Sequence, residues 1–82
     1  MYEIIYSKDA EKFLDKLPQE QRERIINTIE RARVRPDHYF ERLVGDKASK
    51  LRIGDYRIIA DIDNGQLLIL IIKIGHRKNI YD

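Results

Sequence analysis

Two glycine-containing dipeptides close together constrain the second half of this chain more than any other feature. Gly54-Asp55 lies within "IGDY" and Asn64-Gly65 within "DNGQ". Both dipeptides are strong β-hairpin signals, because their residues adopt the positive φ angles that tight hairpin turns need. Apolar, β-branched segments flank both turns. We therefore predict three successive strands, at about 48–53, 56–62 and 66–74.

The first half has helical periodicity after a short strand at about 2–6. Ser7 is a predicted helix N-cap. The apolar residues of the helix that follows have the i, i+3, i+4, i+7 spacing of one helical face; they are Ala10, Phe13, Leu14 and Leu17. Pro18 ends this helix and is a suitable start for the next.

The second predicted helix runs from about residue 19 to 35 and ends before Pro36. Its buried positions are Ile25, Ile26, Ile29 and Ala32. A loop from Pro36 to about residue 47 follows, with Phe40 and Leu43 as its apolar anchors. We therefore predict an α+β fold of one domain over residues 1–82: an N-terminal strand and an α-helical hairpin packed on a mainly antiparallel four-stranded sheet.

Composition excludes several classes of protein. The chain has no cysteine and only two histidines, so a disulfide framework, a thiolate metal site and a zinc site are not expected. No apolar run reaches the roughly 18 residues of a membrane span, and no signal-peptide pattern opens the chain. The expected location is the cytoplasm.

Charge is distributed unevenly along the chain. Residues 1–46 carry nine Lys/Arg and ten Asp/Glu, a net of −1, whereas residues 47–82 carry seven and four, a net of +3. This asymmetry suggests a polyanionic partner, and a solvated basic face is the alternative explanation.

The first turn brings cations together. If Gly54-Asp55 is a two-residue loop, Arg52 lies opposite Arg57, and Lys50 shares their face. Two like charges about 5 Å apart repel by roughly 1–3 kcal/mol for effective dielectric constants from 80 down to 20. A small domain retains such a pair only if something offsets this cost.

The second turn leaves two registers open. A two-residue Asn64-Gly65 loop would bury Lys73 and Arg77, whereas a three-residue loop shifts the strand by one residue and exposes both. We favour the three-residue loop, in which Arg57 faces Ile71. The predicted core face is then Tyr56, Ile58, Ala60, Leu68, Leu70, Ile72 and Ile74. The predicted cationic face also carries Ile59, Leu67, Ile69 and Ile71, an apolar group that we expect a partner protein to cover.

Two segments, "KLRIGDYRIIADI" and "IGHRKNIY", give the chain a family resemblance. It resembles the RelE/ParE superfamily of bacterial and archaeal toxins over essentially its whole length. The most specific motifs are Leu51-Arg52-x-Gly54-x-Tyr56-Arg57 and Gly75-His76-Arg77 followed by a tyrosine. The resemblance implies a RelE-like, microbial-RNase-like fold.

The resemblance also implies an activity: that of a toxin from a type II toxin–antitoxin pair, inhibited by a cognate RelB-like antitoxin. In the RelE branch the toxin is an endoribonuclease that cleaves mRNA on the ribosome and so inhibits translation. The ribose 2′-OH attacks the adjacent phosphate, and neither metal nor cofactor is needed. The ParE branch is the alternative: a toxin without enzymatic activity that inhibits DNA gyrase.

Four residues match the catalytic positions of the RelE branch. Arg57 and Arg77 match the arginines that hold the scissile phosphate, and Tyr81 matches a tyrosine with a proton-transfer or base-stacking role. Lys50 matches a strand lysine that activates the nucleophile or neutralises the transition state. The resemblance further implies RNA and phosphate contacts by Arg52, Lys73, His76 and Lys78. For His76, a proton donor and a solvent-facing side chain are the two interpretations.

Other polar groups are interpreted as structural. Tyr2, Tyr6, Tyr39 and Tyr56 are expected to pack in the core or at its rim instead of stacking on bases. The second helix alternates arginines with glutamates, which predicts a salt-bridged, solvated face.

Overall fold

The computed structural model describes residues 1–45 and 47–76. Along the chain its elements are β1 (Glu3–Tyr6), α1 (Lys8–Asp15), α2 (Gln19–Ala32), a 3-10 helix (Pro36–His38), β2 (Glu41–Arg42), β3 (Ala48–Ile53), β4 (Tyr56–Asp63) and β5 (Leu68–His76). The strands form one sheet in the order β1-β5-β4-β3-β2, in which β1 is parallel to β5 and the other neighbours are antiparallel. The predicted α+β class is confirmed.

The sheet has five strands where the sequence predicted four. The additional strand is β2, whose Glu41 and Arg42 pair with Lys50 and Ser49 of β3. Its residues were predicted to be loop, because a two-residue strand has no periodicity to detect. Gly45 lies between β2 and β3 and adopts φ +74°, a conformation that costs glycine little and lets the chain reverse direction.

Ser7 caps α1 as predicted. Its Oγ accepts a hydrogen bond from the Ala10 N–H at 3.1 Å and donates one to the Ile72 carbonyl at 2.6 Å. One side chain therefore satisfies a free amide of the first helical turn and also fastens the helix to β5.

The second helix ends earlier than predicted, at Ala32 instead of residue 35. The contacts of Arg33 account for the earlier end. Its carbonyl accepts a hydrogen bond from the Tyr2 N–H at 2.9 Å, and its Nε donates one to the Tyr2 carbonyl at 3.0 Å. This reciprocal pair joins the end of α2 to the start of β1. Neither α1 nor α2 is long or apolar enough to span a membrane.

Both helices pack on one face of the sheet, and the core lies between the two layers. Its buried members come from α1, α2, β3, β4, β5 and the segment just before β2. They are Ala10, Leu14, Ile25, Ile29, Ala32, Phe40, Leu51, Ile53, Ile58, Ala60, Ile69, Ile71 and Ile74. We call the opposite face of the sheet the outer face.

The β3–β4 hairpin has the predicted register. Ile53 pairs with Tyr56, Arg52 with Arg57, and Lys50 with Ile59. Gly54 adopts φ +58°, a conformation that costs glycine little. Lys50, Arg52 and Arg57 therefore share the outer face.

The β4–β5 turn differs from both registers considered. It spans four residues, 64–67, and Asp63 pairs with Leu68. The Asp63 carboxylate accepts hydrogen bonds from the N–H groups of Gly65 at 2.9 Å and Gln66 at 3.1 Å. Leu67 closes the turn at φ +54°, a strained conformation for leucine that sequence rules disfavour.

A β-bulge in β5 decides which side chains enter the core. Ala60 pairs with Ile71 but Ile59 pairs with Lys73, so Ile72 is left without a partner in the ladder. Strict alternation after Ile71 would direct Lys73 into the core. The extra residue shifts the alternation by one position, which places Lys73 on the outer face and Ile74 in the core.

The predicted faces of β5 are therefore partly wrong. Ile69 and Ile71 are completely buried in the core, and Phe13 and Ile26 pack against that core cluster. The prediction of a partner-covered apolar surface that includes Ile69 and Ile71 is wrong for the same reason. Leu68, Leu70 and Ile72 do not form the predicted core face either: the first two are half-buried and the third is 40% exposed. Arg57 faces Gly75 and not Ile71.

Candidate active site

A cavity of about 400 Å³ opens beside the cations of β3 and β4. Its lining residues come from β2, β3, β4 and the segment before β2. They are Tyr39, Glu41, Lys50, Leu51, Arg52 and Arg57. Three of the predicted site residues, Lys50, Arg52 and Arg57, thus meet in one cavity.

Arg57 lies deepest among these cations, with only 8% of its surface exposed. Its neighbour on β5 is Gly75, which has no side chain to occupy the space beside it on the outer face. A guanidinium stays protonated at neutral pH and presents its donors in a planar fork, which suits phosphate oxygens. Partial burial strengthens its interaction with any anion that enters, since water screens less there.

Arg52 and Lys50 are more accessible than Arg57. Arg52 is exposed and Lys50 half-buried. The two side chains lie two residues apart on β3 and therefore point the same way. The three cations occupy adjacent positions of two neighbouring strands, which concentrates positive charge on this part of the outer face.

Glu41 is a site residue that sequence reasoning missed. It pairs with Lys50 across β2 and β3 and lines the cavity from the edge of the sheet. A carboxylate beside three cations lowers their mutual repulsion and supplies a proton acceptor. No sequence pattern indicated this position, because it depends on the short strand β2.

Tyr39 also lines the cavity and is 39% exposed. The turn after the 3-10 helix holds it there, since its N–H donates to the Pro36 carbonyl at 3.0 Å. It was predicted to pack in the core or at its rim. A partly exposed ring at the mouth of a cationic cavity is in a position to stack on a base.

Lys73 and His76 do not join the cavity lining. Lys73 is exposed on the outer face, opposite Ile59, as predicted for its face. His76 pairs with Tyr56 and therefore points to the helix side of the sheet. The two rings form an edge-to-face contact with centroids 5.8 Å apart, and Phe13 meets Tyr56 similarly at 6.0 Å.

The predicted site residues Arg77, Lys78 and Tyr81 lie outside the described residues. Their roles therefore remain predictions from the family resemblance.

The cavity combines groups suited to one kind of chemistry. Cations at adjacent strand positions bind an anion and stabilise charge that develops on it, and a carboxylate within the same cavity can accept a proton. Among the described residues, the six that line the cavity include no serine, threonine or cysteine that could act as a nucleophile. The arrangement suits a phosphate substrate that supplies its own nucleophile.

Solved structures of toxins have the same fold. The intact E. coli RelBE toxin–antitoxin complex matches with a TM-score of 0.79 and 18% identity, over 93% of this chain and 96% of that chain. For the RelBE2 toxin–antitoxin complex of Mycobacterium tuberculosis the TM-score is 0.81 and the identity 21%, over 95% and 93%. For the archaeal RelE–RelB complex of Pyrococcus horikoshii the values are 0.78 and 23%, over 96% and 98%. These likenesses confirm the predicted RelE-like fold.

Comparison at the level of sequence families gives the same result. No curated protein matches the chain significantly. The family model described as the ParE toxin of the type II toxin–antitoxin system parDE matches residues 4–81. The match covers both helices, the whole sheet from Ile4 onward and the candidate site. The chain therefore belongs to the ParE toxin family of type II toxin–antitoxin systems, within the RelE/ParE superfamily.

Proposed function

We propose that this toxin is a metal-independent endoribonuclease that cleaves mRNA on the ribosome and so inhibits translation. The observation that carries the proposal is the shared cavity of Lys50, Arg52, Arg57 and Glu41 on the outer face. The activity named in the family resemblance, attack of a ribose 2′-OH on the adjacent phosphate, needs cations around the phosphate and an acceptor for the 2′-OH proton.

Arg57 is the proposed principal phosphate ligand. Its low exposure and its position beside Gly75 favour the binding of an anion at this site over the anion remaining in water. As the 2′-oxygen bonds to phosphorus, negative charge grows on the non-bridging oxygens. A preorganised donor at such a position is worth about 10²–10³ in rate in other enzymes. Arg52 supplies a further contact, and Lys50 neutralises the same developing charge.

Glu41 is the proposed proton acceptor. The 2′-OH gives its proton to the carboxylate while the 2′-oxygen forms a bond to phosphorus and the bond from phosphorus to the 5′-oxygen breaks. The products are a 2′,3′-cyclic phosphate and a 5′-hydroxyl, which takes up a proton from a general acid. Tyr81 is the proposed acid, on the basis of the family resemblance. General acid–base catalysis typically contributes 10²–10⁴ in rate.

The remaining predicted residues keep their proposed roles as RNA ligands. Arg77 is proposed as the second phosphate ligand and Lys78 as a backbone contact, both from the family resemblance. Lys73 extends the charge of the outer face beyond the cavity. His76 lies on the helix side of the sheet, so we propose only a peripheral contact for it. Tyr39 is added as a stacking surface for a base next to the scissile phosphate.

The proposed partner is a cognate antitoxin. The solved structures with this fold include RelB–RelE complexes, which supports such a partner here. Exposed apolar side chains on β1, on β5 and in the turn before β5 are consistent with a protein partner: Ile5, Ile72 and Leu67 expose 43%, 40% and 46% of their surfaces. Ile5 pairs with half-buried Leu70 on the outer face.

Inhibition of DNA gyrase without catalysis is the second candidate function. The match to the ParE family model favours it, because that branch is the one associated with gyrase. The cationic cavity with its carboxylate favours the nuclease, since an inhibitor that only binds has no evident need for this combination.

The deciding experiment compares the two activities of one purified toxin preparation. Cleavage of message on programmed ribosomes is mapped by primer extension, and gyrase supercoiling is measured in parallel. We expect cleavage within the ribosome-bound message and no loss of supercoiling. Sub-micromolar gyrase inhibition without cleavage would replace the nuclease with the alternative.

A further inference from the structure

The arginines of α2 and of its C-cap position, Arg33, form two structurally different groups. Arg22 donates to the carbonyls of Leu14 at 3.4 Å and Leu17 at 3.3 Å, and Arg33 bonds to Tyr2 and to Glu30 at 2.9 Å. These two side chains hold the fold together. Arg24 and Arg31 are exposed, and within residues 1–45 and 47–76 their guanidinium groups form neither a hydrogen bond nor an ion pair. The salt-bridged helix predicted from sequence thus has a single ion pair in this part of the chain, between Glu30 and Arg33.

Arg24 and Arg31 lie on the same flank of α2. They are seven residues apart, which is close to two turns, and the helical rise separates them by about 10 Å. The acidic residues Glu23 and Glu30 are also seven apart but lie on the opposite flank, where Glu30 meets Arg33 next to β1. The positions three and four residues from Arg31 hold no carboxylate: they are Asn27, Thr28, Val34 and Arg35. For Arg24 the single carboxylate at such a position is Glu20.

Arg24 connects this flank to the site at the β3–β4 turn. A methyl group added to the Cα of Gly54 would lie 2.9 Å from a terminal nitrogen of Arg24 and 3.3 Å from its central carbon. The guanidinium therefore packs over Gly54 from the helix side. Arg52 is two residues before Gly54 and points to the outer face. Positive charge continues around the end of the hairpin from the cavity to α2, with Asp55 as the acidic residue in the turn.

We propose that Arg24 and Arg31 bind the phosphate backbone of double-helical RNA that adjoins the cleaved strand. The inference rests on the proposed nuclease function and adds a second RNA-binding surface to it. Two exposed arginines whose backbone positions lie about 10 Å apart along a helix suit phosphates instead of bases. Between them on this flank of α2 are Asn27 and Thr28, which give the surface no ring for stacking. It binds RNA by charge and shape and leaves the choice of sequence to the cavity.

The test compares two double variants that lose the same charge. R24Q/R31Q removes the two proposed phosphate ligands, and K12Q/K16Q removes two exposed lysines one turn apart at the end of α1. Affinity for a short blunt-ended RNA duplex, and separately for programmed ribosomes, is measured over a range of salt concentrations. Each lost phosphate contact lowers the slope of log affinity against log salt by about 1. We expect R24Q/R31Q to lower it by about 2 with both probes, and K12Q/K16Q to leave it unchanged.

The possible outcomes separate this inference from the proposed function. An unchanged slope for R24Q/R31Q, or an equal fall for both double variants, overturns the inference, and cleavage by the wild-type toxin still supports the nuclease. If R24Q/R31Q keeps the wild-type salt slope but binds the antitoxin more weakly, the flank belongs to the antitoxin interface, and the inference is again overturned. If R24Q/R31Q lowers the salt slope but the wild-type toxin does not cleave message, the RNA-binding surface stands and the proposed nuclease function is rejected.

Discussion

Arg52 and Arg57 are direct partners across β3 and β4, and both belong to the outer face of the sheet. Like charges at directly opposed strand positions destabilise a sheet, so this pair opposes folding. The site contains Glu41 as the negative charge that offsets part of the repulsion. A bound phosphate would offset more of it, and would so account for two arginines at directly opposed positions.

We expect Arg57→Ala to lower the rate of message cleavage by at least about 100-fold, because the variant loses the proposed phosphate ligand. The free energy of unfolding should change by no more than about 1 kcal/mol, since relief of the repulsion with Arg52 compensates for lost packing of the side-chain stem. Single-turnover cleavage on programmed ribosomes and urea unfolding measure the two quantities. Lys12→Ala, at an exposed position of α1, is the control, and its cleavage rate and free energy of unfolding should both match those of the wild type. Wild-type cleavage by the Arg57 variant would refute the proposed site.

Glu41→Gln is expected to slow cleavage by about 10²–10⁴, because the amide cannot accept the 2′-OH proton. RNA affinity should be unchanged or higher, since one negative charge has left a phosphate site. Glu23→Gln on exposed α2 is the matched control. A fall in affinity with an unchanged catalytic rate would make Glu41 a structural residue.

The β5 bulge predicts opposite consequences for two consecutive isoleucines. Ile71→Ala should lower the free energy of unfolding by about 2–5 kcal/mol, because Ile71 is completely buried. Ile72→Ala should cost less than about 1 kcal/mol, since Ile72 is the unpaired and partly exposed residue of the bulge. Denaturant unfolding of both variants is the measurement. Equal losses would contradict the bulge.

Tyr6 is expected to make stability depend on pH in alkaline solution. Burial, and after it the charge of Glu30, raise the pKa of the Tyr6 phenol above 10.0, while Arg33 lowers it. Above about pH 10 the unfolded chain loses this proton and the folded chain keeps it. Stability therefore falls as the pH rises from there towards the raised pKa. Tyr6→Phe should make this fall less steep in urea unfolding followed across that pH range.

The same variant has a separate effect at neutral pH. The buried Tyr6 hydroxyl has no hydrogen-bond partner among the described residues. Tyr6→Phe should therefore leave stability unchanged or raise it by up to about 1 kcal/mol. Tyr2→Phe is the contrasting control, because it removes a 2.7 Å hydrogen bond to Asn64 and should cost about 0.5–1.5 kcal/mol. A loss from Tyr6→Phe as large as that from Tyr2→Phe would contradict this account.

Local sequence rules were sufficient for the cationic hairpin. Gly54-Asp55 closes a two-residue turn, and a turn of known length sets the register of both its strands. The shared face of Lys50, Arg52 and Arg57 could therefore be predicted before any contact was known. The Ser7 cap followed in the same way, from one side chain and one free amide in its own helical turn.

Tertiary structure alone decided which β5 side chains face the core and which further residues line the candidate site. The run from Leu67 to Ile72 is apolar at every position, so alternation does not indicate which residues face the core. The outcome depends on a four-residue turn and a bulge, which together bury Ile71 and Ile74 and keep Lys73 in water. Glu41 and Tyr39 reach the cavity through a two-residue strand and a 3-10 turn, elements too short to leave a pattern. Their positions are set by the packing of distant segments, and no local pattern encodes those contacts.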